Sequence, residues 1–180
     1  MRQRDMQDHF WSYLDVWRTR FPRHRPLRWR NDWLQNGYCR DCRYCCGQQD
    51  SNKPFYMALL PEQIRPDLTN DFYMHSPNTA YMDARGCKAA TAQGCRLPRA
   101  QRPVACSIFP LVLTGGELYL YQTCPAVLFT PFPQLAGLGL EAAAWLRNFS
   151  RANVRRISLR LPAQTLAKGY IALHIKVAGR

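Results

Sequence analysis

Apolar side chains recur at helical spacing in two parts of the chain. One pattern covers residues 10–21 and ends at Pro22, and the other covers residues 134–149. In both, every third or fourth residue is apolar, which places those side chains on one face of an α-helix. The sequence therefore predicts two amphipathic helices, whose apolar faces consist of Phe10, Leu14, Trp17 and Phe21 and of Leu138, Ala142, Trp145 and Phe149.

Two other segments have the pattern of β-strands. Residues 111–121 contain two β-prone runs on either side of Gly115-Gly116. This pair suits a two-residue hairpin turn, because both of its positions need a positive φ. Phe55–Leu60 is a compact apolar run, which predicts a buried strand. Pro61 then opens a predicted short helix, since proline is tolerated in the first turn.

The remaining segments are rich in proline, glycine and arginine. Two prolines between residues 20 and 30 predict an extended connector, and a short helix is predicted from Asn31 to Gln35. Residues 67–103 are predicted to be loop-rich. Residues 151–180 are predicted to form a strand, a short helix and a second strand at Tyr170–Val177. These elements predict a small single domain of the α+β class, with a β-hairpin at about 111–121 and flanking helices.

Charge and composition narrow the class of protein. The 180 residues carry a formal charge of +13, and 47% of them are hydrophobic, as in a globular protein. No apolar run is long enough to span a bilayer, so we expect no membrane association. The first ten residues lack the apolar stretch of a signal peptide. We therefore expect a cytoplasmic protein, in a compartment where thiols bind metals or react more often than they form disulfides.

The candidate chemistry lies in eight cysteines. Two thiolates that are three positions apart can bind one ion, because the intervening turn brings both sulfurs to one side. Three cysteines in the pattern C-x2-C-x2-C have the spacing of bacterial ferredoxins. Adjacent side chains diverge, so the Cys45–Cys46 doublet is not expected to share one tetrahedral ion. All eight are predicted metal ligands: Cys39, Cys42, Cys45, Cys46, Cys87, Cys95, Cys106 and Cys124.

All-sulfur ligation suits both zinc and iron–sulfur clusters. The ferredoxin-like spacing favours an iron–sulfur cluster, of the [4Fe–4S] type, with zinc as the alternative. Eight thiolates divide into two four-thiolate sites, which predicts two metal centres or one polynuclear centre. Because the ligands come from separate stretches of chain, metal binding would close long loops. The sequence therefore predicts a domain held together by metal rather than by a large apolar core.

The cysteine pattern resembles that of a known family. After the first cluster, the chain has the paired Cys87 and Cys95, then Arg102-Pro103-Val-Ala-Cys106-Ser-Ile-Phe-Pro110 and the late Cys124-Pro125. This order is similar to that of the CxxCxxCC zinc- or iron-chelating proteins. These form the YkgJ-like cysteine-cluster family, to which the flagellin N-methylases are related. The resemblance covers about residues 37–126 and implies a metal or iron–sulfur centre, without implying a reaction. The chain departs from the pattern at Ala126, where the family often has glycine.

The segments outside the resemblance carry the excess of positive charge. Residues 142–180 contain eight basic side chains and no acidic one, and residues 20–30 contain five arginines. We divide the chain into a basic N-terminal helix and connector (1–36), a cysteine-cluster metal-binding core (37–130) and a basic C-terminal helix with strands (131–180). Arginines with interleaved aromatic residues can bind a phosphate backbone and stack on bases. Nucleic acid and an acidic protein are therefore alternative partners of the flanks, and an ordinary solvated surface is the simplest interpretation.

Other residues add little chemistry. None of the four histidines (His9, His24, His75 and His174) stands at metal-ligand spacing, and His75 is predicted to be a solvated loop residue. Arg102 has two interpretations, as a donor of hydrogen bonds to the thiolates or as a surface arginine beside a proline. No catalytic residue is identified, and the sequence leaves open whether the protein is an enzyme.

The favoured function is a metal-binding protein that carries an iron–sulfur cluster on cysteine thiolates, in a structural, redox or catalytic role. One alternative is a structural zinc-binding protein whose basic flanks bind nucleic acid or an acidic partner. The other is a metal-dependent group-transfer enzyme, similar to a methyltransferase.

Overall fold

The computed structural model describes residues 27–30, 33–35, 45–47, 49, 52–92 and 94–180. Cys39, Cys42 and the predicted helix at residues 10–21 lie outside the described residues. The strands of the described part are β1 (Arg28–Arg30), β2 (Trp33–Gln35), β3 (Phe55–Ala58), β4 (Tyr73–Ser76), β5 (Thr79–Met82), β6 (Ala90–Thr91), β7 (Gly94–Cys95), β8 (Leu111–Thr114), β9 (Glu117–Tyr121) and β10 (Tyr170–Lys176). Its α-helices are α1 (Leu68–Asp71), α2 (Val104–Ile108), α3 (Pro125–Leu128), α4 (Phe132–Leu146), α5 (Arg151–Ile157) and α6 (Ala163–Gly169), and 3₁₀ turns form at Pro61–Gln63 and Arg99–Gln101.

The Gly115-Gly116 pair forms the predicted hairpin turn between β8 and β9. The φ angles of the two glycines are 58° and 78°, as a two-residue turn between antiparallel strands requires. Strand β10 then pairs antiparallel with β9, which gives a three-stranded sheet in the order β10-β9-β8. Helix α4 packs against β10, and its buried residues recur at helical spacing. The predictions of a hairpin, of a helix in this region and of a strand near 170–177 are confirmed.

A second sheet forms in the segment that precedes α2. Strands β3, β5 and β4 lie side by side in that order, and both pairs are antiparallel. Alternate residues of β3 and β5 point inward, among them Met57, Ala80 and Met82. The strand predicted at Phe55–Leu60 is confirmed as β3, and the short helix predicted at Pro61 is a single 3₁₀ turn. The loop-rich segment 67–103 also contains α1, two short hairpins and a 3₁₀ turn, which its sequence did not indicate.

Two further predictions of secondary structure are wrong. Residues 33–35 form strand β2 instead of a helix, because Leu34 pairs with Trp29 of β1 and is fully buried. The segment after Arg151 forms helix α5 instead of a strand. Ser150 caps this helix by accepting a hydrogen bond from the Asn153 N–H at 3.2 Å. The expected short helix between α5 and β10 is present as α6.

The buried apolar residues of the described part fall into two clusters. The large core joins β1, β2, α2, the β8–β10 sheet and helices α3–α5, and consists of Leu27, Leu34, Leu60, Val104, Ile108, Leu111, Leu113, Leu118, Leu120, Cys124, Ala126, Val127, Leu135, Leu138, Ala142, Ala143, Leu146, Val154, Ile157 and Val177. The small core lies under the β3-β5-β4 sheet and consists of Met57, Leu59, Leu68, Phe72, Ala80, Met82, Ala89 and Leu97. The expectation that metal replaces a large apolar core is therefore wrong for the part of the molecule around the β8–β10 sheet. Residues from both sides of position 131 belong to the large core, although the division made from the sequence separates segments 37–130 and 131–180 there.

Candidate metal centre

Backbone hydrogen bonds join the cysteine doublet to the segment after β5. The Cys87 N–H donates to the Cys46 carbonyl at 2.9 Å, and the Gln49 N–H donates to the Asp83 carbonyl at 2.9 Å. The chain at 83–86 turns tightly, since the Gly86 N–H donates to the Asp83 carbonyl at 2.8 Å. These bonds fix the position of Cys46 relative to Cys87.

Gly86 makes this close approach possible. Its φ of 76° lies in the left-handed region, which glycine adopts without steric cost. A Cβ atom at this position would stand 3.1 Å from the carbonyl oxygens of Cys46 and Gly47. Any side chain at position 86 would therefore push the doublet segment away from Cys87.

Cys95 and Cys106 reach the same region from two other elements. Cys95 lies in β7 and pairs with Ala90 across a short hairpin. Cys106 lies in α2, which begins directly after Pro103 because proline suits the start of a helix. The Cys106 thiol donates to the sulfur of Met57 at 3.3 Å, so it faces the small core.

The charges of four thiols are coupled to one another. The pKa of Cys87 is raised because burial disfavours its thiolate, and the neighbouring Cys46 and Cys95 add repulsion. Burial also raises the pKa of Cys106, and the charges of Cys46, Cys87 and Cys95 act in the same direction. Side chains from four separate segments are therefore close enough for their ionised forms to repel one another.

Cys46 differs from the other thiols of this group. Its pKa is lowered to about 7, mainly because it forms a thiol–thiol hydrogen bond with Cys45, at an Sγ–Sγ distance of 4.0 Å. The positive charge of Arg102 acts in the same direction, against the effect of burial. The charge of Cys46 in turn contributes to the raised pKa values of Cys87 and Cys106.

Arg102 is held in place beside the thiols by the backbone. Its Nε donates to the Leu97 carbonyl at 2.8 Å, and one of its terminal nitrogens lies 3.5 Å from the Cys95 carbonyl oxygen. The Arg102 carbonyl accepts from the Gln63 side chain, whose oxygen in turn accepts from the Leu60 N–H at 3.0 Å. Of the two interpretations given by the sequence, this arrangement supports a positioned cation beside Cys46 and Cys106.

Cys124 has a different environment. It precedes α3, is 5% exposed and belongs to the large core rather than to the small one. The described contacts thus relate Cys46, Cys87, Cys95 and Cys106 to one another, with Cys45 beside Cys46, and Cys124 packs in the large core. All six described cysteines are thiols rather than disulfides.

The donor set of the site is sulfur, which suits zinc and iron–sulfur clusters. Within the residues that the structure describes, no group of three or more histidine, cysteine or acidic side chains is arranged so that it could hold a metal ion. The two cysteines of the first cluster that precede the doublet, Cys39 and Cys42, are not among those residues. The donor chemistry therefore fits a thiophilic metal, and the described thiols are only part of the predicted ligand set.

Two residues of the site were not identified from the sequence. Met57 contributes a thioether, which is also a soft sulfur donor. The sequence pattern around it predicted only a buried position in a strand. Gly86 permits the contact between the doublet and Cys87, and its only signal was a glycine directly before a cysteine. Both depend on contacts between residues that are distant in the sequence.

Comparisons of the chain with protein-family models, with curated proteins and with solved structures found no match. The resemblance to the cysteine-cluster family therefore stays a prediction from the residues themselves. In the described part of the chain, no helix has the length and apolar character needed to cross a membrane.

Proposed function

We propose that the chain holds an iron–sulfur cluster on cysteine thiolates, with Cys46, Cys87, Cys95 and Cys106 among the ligands. The observation that supports this most directly is that thiols from four separate segments meet at the small core. The Cys87 N–H donates to the Cys46 carbonyl, and Cys87, Cys95 and Cys106 pack against that core. Single buried cysteines behave as small apolar residues and need no such grouping. A bound cation would stabilise the thiolates and would oppose the effect of burial, which raises the pKa values of Cys87 and Cys106.

A structural role accounts for the position of the site. The small core contains only eight buried residues in the described part, and Cys87, Cys95 and Cys106 pack against it. A core of this size contributes little stability by itself. A centre that joins the doublet, the segment after β5, the β6–β7 hairpin and α2 would close long loops and stabilise this half of the protein.

The choice of an iron–sulfur cluster over zinc rests on two features. The spacing of Cys39, Cys42 and Cys45 is that of bacterial ferredoxins. Arg102 adds a positive charge beside the thiols, and charges and hydrogen bonds near the sulfurs adjust the reduction potential of such clusters.

The test compares cysteine variants for metal content. We expect anaerobically purified wild-type protein to be coloured and to contain iron and inorganic sulfide. Cys87→Ser and Cys106→Ser should each lose most of the metal. Ser107→Ala is the control and should keep it, because Ser107 is the neighbour of Cys106 in α2 and carries no sulfur. Equal loss in all three variants would contradict the assignment of ligands, and full retention in all three would contradict metal binding at this site.

A further inference from the structure

The outer face of the β3-β5-β4 sheet carries a row of tyrosines. Tyr56 pairs with Tyr81 in the register of β3 and β5, and Tyr73 pairs with Tyr81 in the register of β4 and β5. The ring centroids are 6.3 Å apart between Tyr56 and Tyr81 and 5.9 Å apart between Tyr81 and Tyr73. His75 of β4 lies next to this row, with its ring 4.8 Å from that of Tyr56. We call these four residues the aromatic row.

The aromatic row faces solvent. The neighbouring residues of the same strands, Met57 and Ala80, are buried in the small core, so the tyrosines lie on the opposite face of the sheet. Tyr56 is 44% exposed, His75 is exposed, and Tyr73 and Tyr81 are partly exposed. Burial in the protein therefore does not explain why aromatic side chains occupy three adjacent strands of this face.

Basic groups lie at the end of the row that is formed by Tyr73. The guanidinium of Arg85 stacks on the Tyr73 ring at 3.8 Å, and the ammonium of Lys88 lies 5.6 Å from the same ring. Asp83 pairs with Arg85 at 2.6 Å and offsets its charge. The net positive charge at this end therefore comes from Lys88.

A second basic group borders the opposite edge of the sheet. Helix α5 lies beside β3, the edge strand that carries Tyr56. It presents Arg151, Arg155 and Arg156 to solvent. No acidic residue occurs between positions 142 and 180, so nothing in that part of the chain neutralises these arginines.

We propose that the aromatic row binds single-stranded nucleic acid, with bases stacked on Tyr56 and Tyr81 and phosphates bound by the arginines of α5. Flat aromatic side chains in series, next to basic groups, are the features with which proteins bind single strands without reading their sequence. An acidic peptide would be attracted by the arginines but would gain little from a row of aromatic rings. A duplex would also bind the arginines, but its stacked bases are not available to the tyrosines.

The experiment measures the affinity of the full chain for a fluorescent oligouridine of about 12 nucleotides, at low and at rising salt. Tyr56→Ala and Tyr81→Ala should each raise the Kd about tenfold, and Tyr56→Phe should leave it nearly unchanged, since stacking needs only the ring. Tyr119→Ala is the matched control, because Tyr119 lies on β9 in the other sheet. The double variant Arg155→Ala/Arg156→Ala should weaken binding and reduce the slope of log K against log salt by about 1.4.

Several results would overturn the proposal. No binding at low salt would do so, as would a Tyr81→Ala variant that binds like Tyr119→Ala. If only the arginine double variant loses affinity, or if a polyglutamate peptide or a duplex binds as tightly as oligouridine, the surface is a general polyanion site. Metal content and thermal unfolding are measured on every variant. The aromatic row lies on the sheet whose small core Cys87, Cys95 and Cys106 pack against, so binding is compared only between variants with the same metal content and the same Tm. A variant that keeps its metal and its fold but loses affinity reports on the nucleic-acid site alone, and a protein that binds oligouridine without any metal contradicts only the metal centre.

Discussion

Replacement of Gly86 by alanine tests the contact on which the metal centre depends. An alanine at a φ of 76° adopts the left-handed conformation, which costs about 1–2 kcal/mol for an L-residue. Its Cβ would also stand 3.1 Å from the carbonyl oxygens of Cys46 and Gly47, which is closer than most Cβ contacts in proteins. The doublet segment must then move, and the hydrogen bond from Cys87 to Cys46 must lengthen or break. We expect Gly86→Ala to be destabilised and to retain less metal.

Gly116→Ala is the matched control for this change. Gly116 has nearly the same φ, 78°, but the nearest atom to its added Cβ is the Val177 carbonyl oxygen at 3.8 Å, an ordinary contact. Both variants carry the backbone strain, which lowers Tm by about 2–4 °C for each kcal/mol in a chain of this size. Thermal unfolding and metal analysis of the two proteins separate strain from the contact. If Gly86→Ala keeps its metal and loses no more stability than Gly116→Ala, the role assigned to the contact is wrong.

Three further predictions concern the surroundings of the site. Arg102→Ala removes both the positive charge and the hydrogen bond from Nε to the Leu97 carbonyl. We expect this variant to release metal to a chelator at least about tenfold more readily than wild type. Unchanged release would contradict the role of Arg102. Asp71→Asn weakens the ion pairs of a buried carboxylate with Arg65 and Arg96, and the nitrogen of Arg96 lies 2.8 Å from the Asp71 oxygen. In urea unfolding, the variant should lose about 1–3 kcal/mol of its free energy of unfolding, a range reduced because both arginines are partly exposed. Removal of metal should speed hydrogen exchange in β3 and β5 far more than in β8 and β9, because the proposed centre stabilises the small core. If metal removal leaves the protection of both sheets unchanged, the structural role is wrong.

The elements that the sequence predicts correctly are those with strong local signals. The Gly115-Gly116 turn requires positive φ at both positions, and helix α4 buries residues at helical spacing, as its periodicity predicts. Strand β2 and helix α5 are different. Leu34 is extended because it pairs with Trp29, and α5 depends on the Ser150 cap and on packing of Val154 and Ile157 into the large core. The pairing of Leu34 with Trp29 and the packing of Val154 and Ile157 into the large core are not visible as a local pattern of three to seven residues.

The candidate site was likewise only partly predictable from the sequence. The cysteines themselves are evident in the sequence, because their residue type and spacing carry the chemistry. Which of them lie together is decided by long-range contacts, such as the hydrogen bond from Cys87 to Cys46 and the packing of Cys106 on Met57. A motif therefore identifies candidate ligands, and the fold selects among them.

The most direct measurement of the central claim is the iron, sulfide and zinc content of the full chain, purified without oxygen and analysed together with its visible absorption spectrum. We predict iron and sulfide in equal amounts, as in a [4Fe–4S] cluster, with a broad visible absorption that bleaches on reduction. A colourless protein with stoichiometric zinc would contradict the iron–sulfur assignment. A folded protein with neither metal would contradict the metal centre altogether.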